Sequence, residues 1–442
     1  MILQEEEVRS LLERLIAESP GQEMSVGVSA GETGSTRFAN NAITTNGIYN
    51  HLDVYAEVTK GKKRGIAAVD ELTAEKMREA VDRAAALADV APENPELMPA
   101  LGPQSYPPVP ALYFPRTAEF SPGQRAEAIL GVVETAKKQN LTAAGFFETG
   151  HSSSARLNSK GLYYFFRSTR SYYSNTLKTE GGSGWASAEE EDAGRIAIPE
   201  LADRAVQKAL GSKGARPLPA GKYTVILEPA AAADMVSYLL YNFTAREADE
   251  GRSFLSLGDG RNRLGEGLVS PKVTIFSDPA SPELPAFPVG EDGLPARKTI
   301  WVEKGAVRNL IYTRFWADKM GREPVSFPSN VIMEGEEHTL EDLIKSTERG
   351  VLVTRFWYIR DLNPMILLLT GLTRDGVFWV ENGRVSHPVN NFRFNESPVN
   401  VLRNIEMMSR PQRAVGGETG QSAVVPALKV KEFNFSSVSD AV

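Results

Sequence analysis

Cysteine is absent from all 442 residues, which excludes disulfides, thiolate nucleophiles and thiolate metal ligands together. Histidine is nearly as scarce. The four positions, His51, His151, His338 and His387, lie too far apart in the chain for any two to share the short spacing of a helical metal motif. His151 falls in the polar stretch Gly150-His151-Ser152-Ser153-Ser154, read as a loop, and His387 precedes Pro388. Long apolar runs are missing too. Pro364-Met365-Ile366-Leu367-Leu368-Leu369 is far short of a membrane span, and Gln4-Glu5-Glu6-Glu7 is acidic where a signal peptide is basic. With no thiols, these features lead us to expect a cytoplasmic protein.

Basic excess is also lacking. With 49 Lys and Arg against 56 Asp and Glu, the formal charge of −7 argues against holding nucleic acid by phosphate neutralisation. Local basic clusters exist, such as Lys60-Gly61-Lys62-Lys63-Arg64, which sits between two alternating runs and reads as a solvated hairpin tip. No Gly-x-Ser-x-Gly elbow occurs, and its nearest approach, Gly182-Ser183-Gly184, reads as a flexible loop. Gly258-Asp259-Gly260-Arg261-Asn262-Arg263-Leu264-Gly265 lacks the Gly-Lys-Ser/Thr ending of a phosphate cradle and reads as a turn or mobile loop. Glu189-Glu190-Glu191-Asp192 has no intervening glycine to shape a cation loop and reads as solvated.

What is present is a chain of ordinary globular composition, 42% hydrophobic and 24% charged, long enough for two or three domains. Residues 5–17 carry Val8, Leu11, Leu12, Leu15 and Ile16 at amphipathic helical spacing. Strand-like alternation follows at 25–28, 36–43, 51–58 and 64–69, and residues 72–88 return to helical period. After a proline-rich connection over 92–115 the order recurs. Ser121-Pro122 opens a helix to residue 139, strands are expected at 143–148, 155–157, 163–168 and 170–179, and a helix at 198–210. Ser35-Thr36-Arg37-Phe38 resembles Ser154-Ala155-Arg156-Leu157, and Gly65-Ile66-Ala67 resembles Arg195-Ile196-Ala197, which suggests an internal duplication.

The Gly/Pro/Lys-rich stretch 211–219 reads as a linker, dividing an N-terminal α+β domain, residues 1–212, from a predominantly antiparallel β domain, residues 220–442. In the latter, 223–227 reads as a buried strand and 230–243 as an apolar helix. Lys304-Gly305, Asp375-Gly376 and Asn382-Gly383 read as hairpin turns.

The strand and helix from Val225-Ile226-Leu227 to Gly251, the hairpin Val380-Glu381-Asn382-Gly383-Arg384 with Pro388-Val389 after it, and Gly416-Gly417-Glu418-Thr419-Gly420-Gln421-Ser422 together resemble the TldD/PmbA family, over nearly the whole chain. The resemblance implies a zinc peptidase or its sister subunit. In the catalytic TldD-like branch the helix carries His-Glu-x-x-x-His, and a late Cys completes the protein ligands. Those positions fall here on Ser237, Tyr238, Asn242 and Gly416, none of which replaces its counterpart. Two ligands five residues apart stand about 140° apart on a regular helix and need a distortion, whereas 236–243 reads as an undistorted core helix.

The resemblance therefore implies the PmbA-like (TldE-like) branch. Its expected features are no catalytic residue, cofactor or metal in this chain, zinc in a TldD-like partner, and an extended peptide held by strand addition, with edges near Thr370-Gly371 and Gly416-Gly417 as candidates. It implies neither a nucleic-acid nor a membrane partner. Two alternatives stay open: a rearranged metal site drawing on Asp234, Glu247, Asp249 or Glu250, and a homodimeric peptide-binding protein. The aromatics Trp301, Tyr312, Phe315, Trp316, Phe356, Trp357 and Tyr358 would serve the second as interface or as sheet core.

Overall fold

Residues 3–439 are described by a computed structural model. Helix α1 (Glu5–Ala17) buries Val8, Leu12 and Leu15, the stripe that its spacing requires. Strands β1 (Glu23–Ala39), β2 (Ala42–Lys60) and β3 (Lys63–Val69) follow, closed by α2 (Ala74–Val90). The proline-rich connection ends in the one-turn helix α3 (Pro115–Ala118). Helix α4 (Pro122–Lys138) then starts on a reciprocal capping box between Ser121 and Gln124. Strands β4 (Thr142–Asn158), β5 (Tyr163–Thr179) and β6 (Gly182–Glu190) and helix α5 (Ile198–Gly211) complete the second round.

The six strands form one antiparallel sheet in the order β3-β2-β1-β4-β5-β6, so the two rounds meet at β1 and β4 about a local two-fold. Adding 119 to a residue number converts one repeat into the other: Glu23 becomes Thr142 and Lys63 becomes Gly182 at the strand starts. The likeness of Ser35 to Ser154 obeys this shift. That of Gly65 to Arg195 does not, because Arg195 lies in a 3-10 turn beyond β6. The counterpart of Gly65 is Gly184, and the reason is packing. A Cβ on Gly65 would lie 2.1 Å from Ala84 O and 2.5 Å from Ala88 N of α2, and one on Gly184 2.2 Å from Ala205 O and 2.5 Å from Ala209 N of α5. Each closing helix rests its backbone on a strand glycine.

Gly184→Ala is accordingly expected to cost about 1–3 kcal/mol through forced helix displacement. Gly47→Ala, where nothing lies within 4 Å of the new methyl group, is the matched control. Urea denaturation compares them, and equal midpoints for the two variants would refute the packing account.

Several local expectations are corrected. The strand expected over 36–43 is a hairpin, since Asn40 and Asn41 both take positive φ (50° and 60°) between β1 and β2. Gly182-Ser183-Gly184 is not a loop but the start of β6, and His151 lies buried in the middle of β4, opposite Glu32. The basic cluster does form the β2–β3 turn, with Lys60 paired to Lys63 across Gly61 and Lys62.

Beyond residue 220 lie β7 (Gly221–Leu227), α6 (Pro229–Tyr241) and a small ribbon of β8 (Ser256–Gly258) and β9 (Arg261–Asn262) that turns at Asp259-Gly260. Then come β10 (Ile275–Ser277), β11 (Thr299–Glu303), β12 (Ala306–Val307), β13 (Ile332–Met333), β14 (Arg349–Asn363), β15 (Leu368–Glu381), β16 (Arg384–Pro388), β17 (Asn391–Glu396), β18 (Ile405–Met408), β19 (Gln412–Val415), β20 (Ser422–Val425) and β21 (Leu428–Ser439). Strands β14, β7, β21, β17 and β15 pair in a ring that β14–β15 closes, a small barrel filled by Phe356, Phe392, Phe394, Phe433 and Phe435. A second sheet runs β12-β11-β10-β13-β20-β19.

Among the described residues the pairings between these strands are antiparallel except β14–β7 and β13–β20, in keeping with the α+β class with a chiefly antiparallel C-terminal part. Asp375-Gly376 is not a turn. It is a bulge inside β15, where Asp375 (φ 54°) points its carboxylate at Arg355 of β14. Thr370-Gly371 lies between β14 and β17 and offers no free edge. Trp301, Tyr312, Trp316 and Phe356 are core, Phe315 packs on it, and only Trp357 and Tyr358 are exposed.

Candidate functional site

Helix α6 is apolar on every side, starts with Pro229 at its first position and is almost entirely buried. In its middle stands Asp234, with no exposed surface. A carboxylate there requires donors, and they come from the β19–β20 turn. Oδ1 of Asp234 accepts from Thr419 N and Thr419 Oγ1, both at 3.0 Å, and Oδ2 accepts from Glu418 N at 3.1 Å. Burial pushes the Asp234 carboxyl up to about 7, although the Thr419 and Glu418 amides pull it down.

The same turn is held from two other directions. Glu418 accepts from Tyr358 N at 2.5 Å and from Arg360 Nη1 at 2.8 Å. Gly417 O accepts from Arg355 Nη1 at 3.3 Å, and Arg355 is itself fixed by Asp375 at 2.7 Å. Tyr241, in the last turn of α6, donates to Gln421.

The four sequence-derived positions lie along this junction. Ser237 is buried in α6, Tyr238 donates to Ile359 O at 3.3 Å, and Asn242 folds back on the helix end to donate to Tyr238 O at 2.8 Å. Gly416 touches Asp234: a Cβ there would lie 2.4 Å from Asp234 Oδ1 and 2.1 Å from Thr419 Oγ1. No cysteine side chain fits. Shifting the helix positions by one residue either way gives Val236, Ser237 and Tyr241, or Tyr238, Leu239 and Phe243, which are no better as zinc ligands. The residues present therefore do not fit the ion that the resemblance implies; the helix expected over 236–243 is shorter, ending at Tyr241 with Asn242 as its C-cap, because Asn242 and Phe243 donate three residues back, to Leu239 O and Leu240 O.

The alternative acidic site does not assemble either. Glu247 accepts from Thr244, Asp249 from Asn262 and Trp316, and Glu250 from Arg246 and Arg252, while Asp234 faces the turn. Among the described residues no group of three or more His, Cys, Asp or Glu is placed to hold a metal ion.

The junction opens on a cleft between the two halves of the chain. A cavity of ≈ 300 Å³ is bounded by Tyr241, Gln421 and Ser422 on one side and by Arg170, Glu189 and Glu191 on the other. It adjoins one of ≈ 490 Å³ that Phe287 and Phe327 line. Glu189 to Asp192 is thus not a solvated loop. Glu190 and Glu191 pair with Arg413 across the domains, and Asp192 pairs with Arg116 at 2.6 Å.

A family model described as the PmbA/TldA metallopeptidase C-terminal domain matches residues 220–437, and one described as its central domain matches 119–213. This chain belongs to the PmbA/TldD family. A metalloprotease of Methanothermobacter thermautotrophicus is 26% identical over 312 residues, 62% of this chain and 64% of that protein, so the match covers less than two thirds of that relative. Metalloprotease PmbA of Escherichia coli O157:H7 is 22% identical over 451 residues, 96% of this chain and 95% of that one. The crystal structure of TldE from Thermococcus kodakarensis has the same fold, with a TM-score of 0.85 over 97% of this chain and 99% of that chain at 21% identity.

Within this PmbA/TldD fold, the role of Asp234 is set by the β19–β20 turn, which lies far from it in sequence. A lone acid in an apolar helix was the available signal. Glu418, Arg355 and Asp375 carried none, because their partners lie 20 to 60 residues away.

Proposed function

We propose that this chain is the non-catalytic subunit of a TldD/TldE-like heterodimeric zinc metalloprotease, which holds unfolded or extended peptide for a zinc-bearing TldD-like partner. The observation that carries the reading is the closed contact of Gly416 with Asp234 and Thr419, which fills the place where a cysteine ligand would stand. Ser237, Tyr238 and Asn242 support it, each turned to a structural hydrogen bond or to the core. The interdomain cleft beside Gln421 is where peptide would pass. No helix among the described residues is long and apolar enough to cross a membrane, and a cytoplasmic setting without nucleic-acid contact accompanies the proposal.

The test is zinc and peptidase activity on the purified chain, alone and co-expressed with a TldD-like subunit. The lone chain is expected to hold less than about 0.1 zinc and to leave unfolded casein intact, with cleavage appearing in the complex. Stoichiometric zinc on the lone chain, or cleavage by it, would overturn the proposal.

One observation favours a second reading, a homodimeric peptide-binding protein. Trp357, Tyr358, Leu362, Met365 and Ile366 are all exposed around the β14–β15 tip. Recovery from the native cell of homodimers alone would select it.

A further inference from the structure

The two repeats differ along the outer edge of their second strand. β3 pairs with β2 only from Val54 to Lys60, and β6 pairs with β5 only from Ser171 to Thr179. Each long strand therefore leaves its first half without a neighbour on that side. On β5 the gap is filled by the proline-rich strap, residues 104–114. Thr169 N donates to Leu112 O at 2.8 Å, and Phe114 N donates to Thr169 Oγ1 at 3.0 Å. Tyr106 packs edge-on against Tyr164 and Phe166, with centroids 6.2 and 6.0 Å apart, and Arg167 lies over Tyr113.

On β2 the counterpart stretch has no such cover among the described residues. Its pairing is to β1 alone, and every residue from Thr44 to Asn50 is exposed, Ile48 by 47% and Tyr49 by 57%. The register with β1 is regular from Thr45 to Asp53, an edge of about 30 Å at strand rise. Proteins ordinarily protect such an edge with a charge, a proline or a bulge. Here Asp53, at the end next to β3, is the one charged residue from Phe38 to Asp53, the stretch has no Pro, and the single bulge lies at the far end, near Thr44.

We propose that the β2 edge from Thr45 to Asp53 binds an extended, uncharged polypeptide segment bearing proline and aromatic residues, laid along it as residues 104–114 are laid along β5. The local two-fold identifies the occupant's chemistry, because the sister edge already holds such a segment from this same chain. Free backbone groups supply affinity with little sequence demand, and Tyr49 and Ile48 supply apolar contact. The inference goes beyond the subunit role and stands without a catalytic partner.

The probe is a fluorescein-labelled peptide copying residues 104–114, Gln-Ser-Tyr-Pro-Pro-Val-Pro-Ala-Leu-Tyr-Phe, titrated against the full chain by anisotropy. Saturable binding is expected, weakened about tenfold or more in Ile48→Lys/Tyr49→Lys, because two ammonium groups then line the edge. Val438→Lys, an exposed position elsewhere, is expected to bind as the parent does. Amide exchange should slow over residues 45–53 when the peptide is present, a readout independent of the variants. No binding, equal binding by the double variant, or protection confined to other strands would overturn the proposal. So would a dimer in sedimentation equilibrium that Ile48→Lys/Tyr49→Lys converts to monomer, since the edge would then belong to a second copy.

Discussion

Asp234→Ala is expected to destabilise the chain by about 2–5 kcal/mol, because it opens a cavity in α6 and strands the donors of Glu418 and Thr419 in a dry interior. Asp234→Asn should behave differently. Its Oδ1 still accepts from Thr419 N and Oγ1, but its Nδ2 cannot accept from Glu418 N, so the change removes the charge and that one bond, a loss that does not vary with pH. The pH dependence then isolates the charge. With its pKa raised from 3.8 to about 7, the folded chain keeps a proton that the unfolded chain has already released, so its contribution to stability falls as pH rises from about 4 to about 7 and is flat beyond. Wild type should therefore lose stability over that interval relative to Asp234→Asn, by an amount on the order of a few kcal/mol. Urea midpoints at pH 5 and pH 8 are the measurement. Parallel behaviour of the two proteins would show that the carboxyl does not titrate there, and an unaffected Asp234→Ala would show that the turn holds without it.

Arg413→Ala is the second large effect expected, at about 3–5 kcal/mol. The Arg413 side chain is only 14% exposed and makes two parallel bonds of 2.9 Å to Glu191, with Glu190 at 3.3 Å. Burial alone would lower the guanidinium pKa, but its carboxylate partners more than reverse this, and it is raised. Burial holds Glu190 above the usual carboxylate range, an effect that Arg413 only partly offsets. Removing the cation leaves the carboxylates of Glu190 and Glu191 at the domain junction without their ion-pair partner. Calorimetry should show the N- and C-terminal halves melting separately, and proteolysis should appear in the 211–219 segment. Arg413→Lys should rescue little, since an ammonium cannot reproduce the fork. Glu191→Gln in the Arg413→Ala background should recover part of the loss. A single transition at the parental midpoint in Arg413→Ala would sink this account.

Much of the scaffold was legible because its signals are local. The apolar stripe of α1, the Ser121-Pro122 start of α4 and the β7–α6 pair arise from neighbouring residues, and their lengths came out within a few positions. The repeat was legible in outline from Ser35 and Ser154. The strand at Gly65 is legible, but its match to Gly184 rather than Arg195 is not, because nothing adjacent in sequence announces the helix that crosses each glycine. Asp375-Gly376 was misread for a related reason. Its dipeptide is a strong turn signal, but the turn-prone φ is used to aim a buried carboxylate at Arg355 inside a strand.

By itself, then, the sequence determined which chemistry this chain cannot perform with thiols or clustered imidazoles, the order of its elements and their doubling, since composition and periodicity need no partner to be read. The tertiary structure alone decided where charge is buried. Glu189 to Glu191 became a domain clasp, Asp234 became the anchor of the 416–421 turn, and the edge of β2 was left open while that of β5 was closed. Those outcomes depend on residues tens to hundreds of positions apart, and the cost of burying a carboxylate or exposing a strand edge is set only once its neighbours are in place.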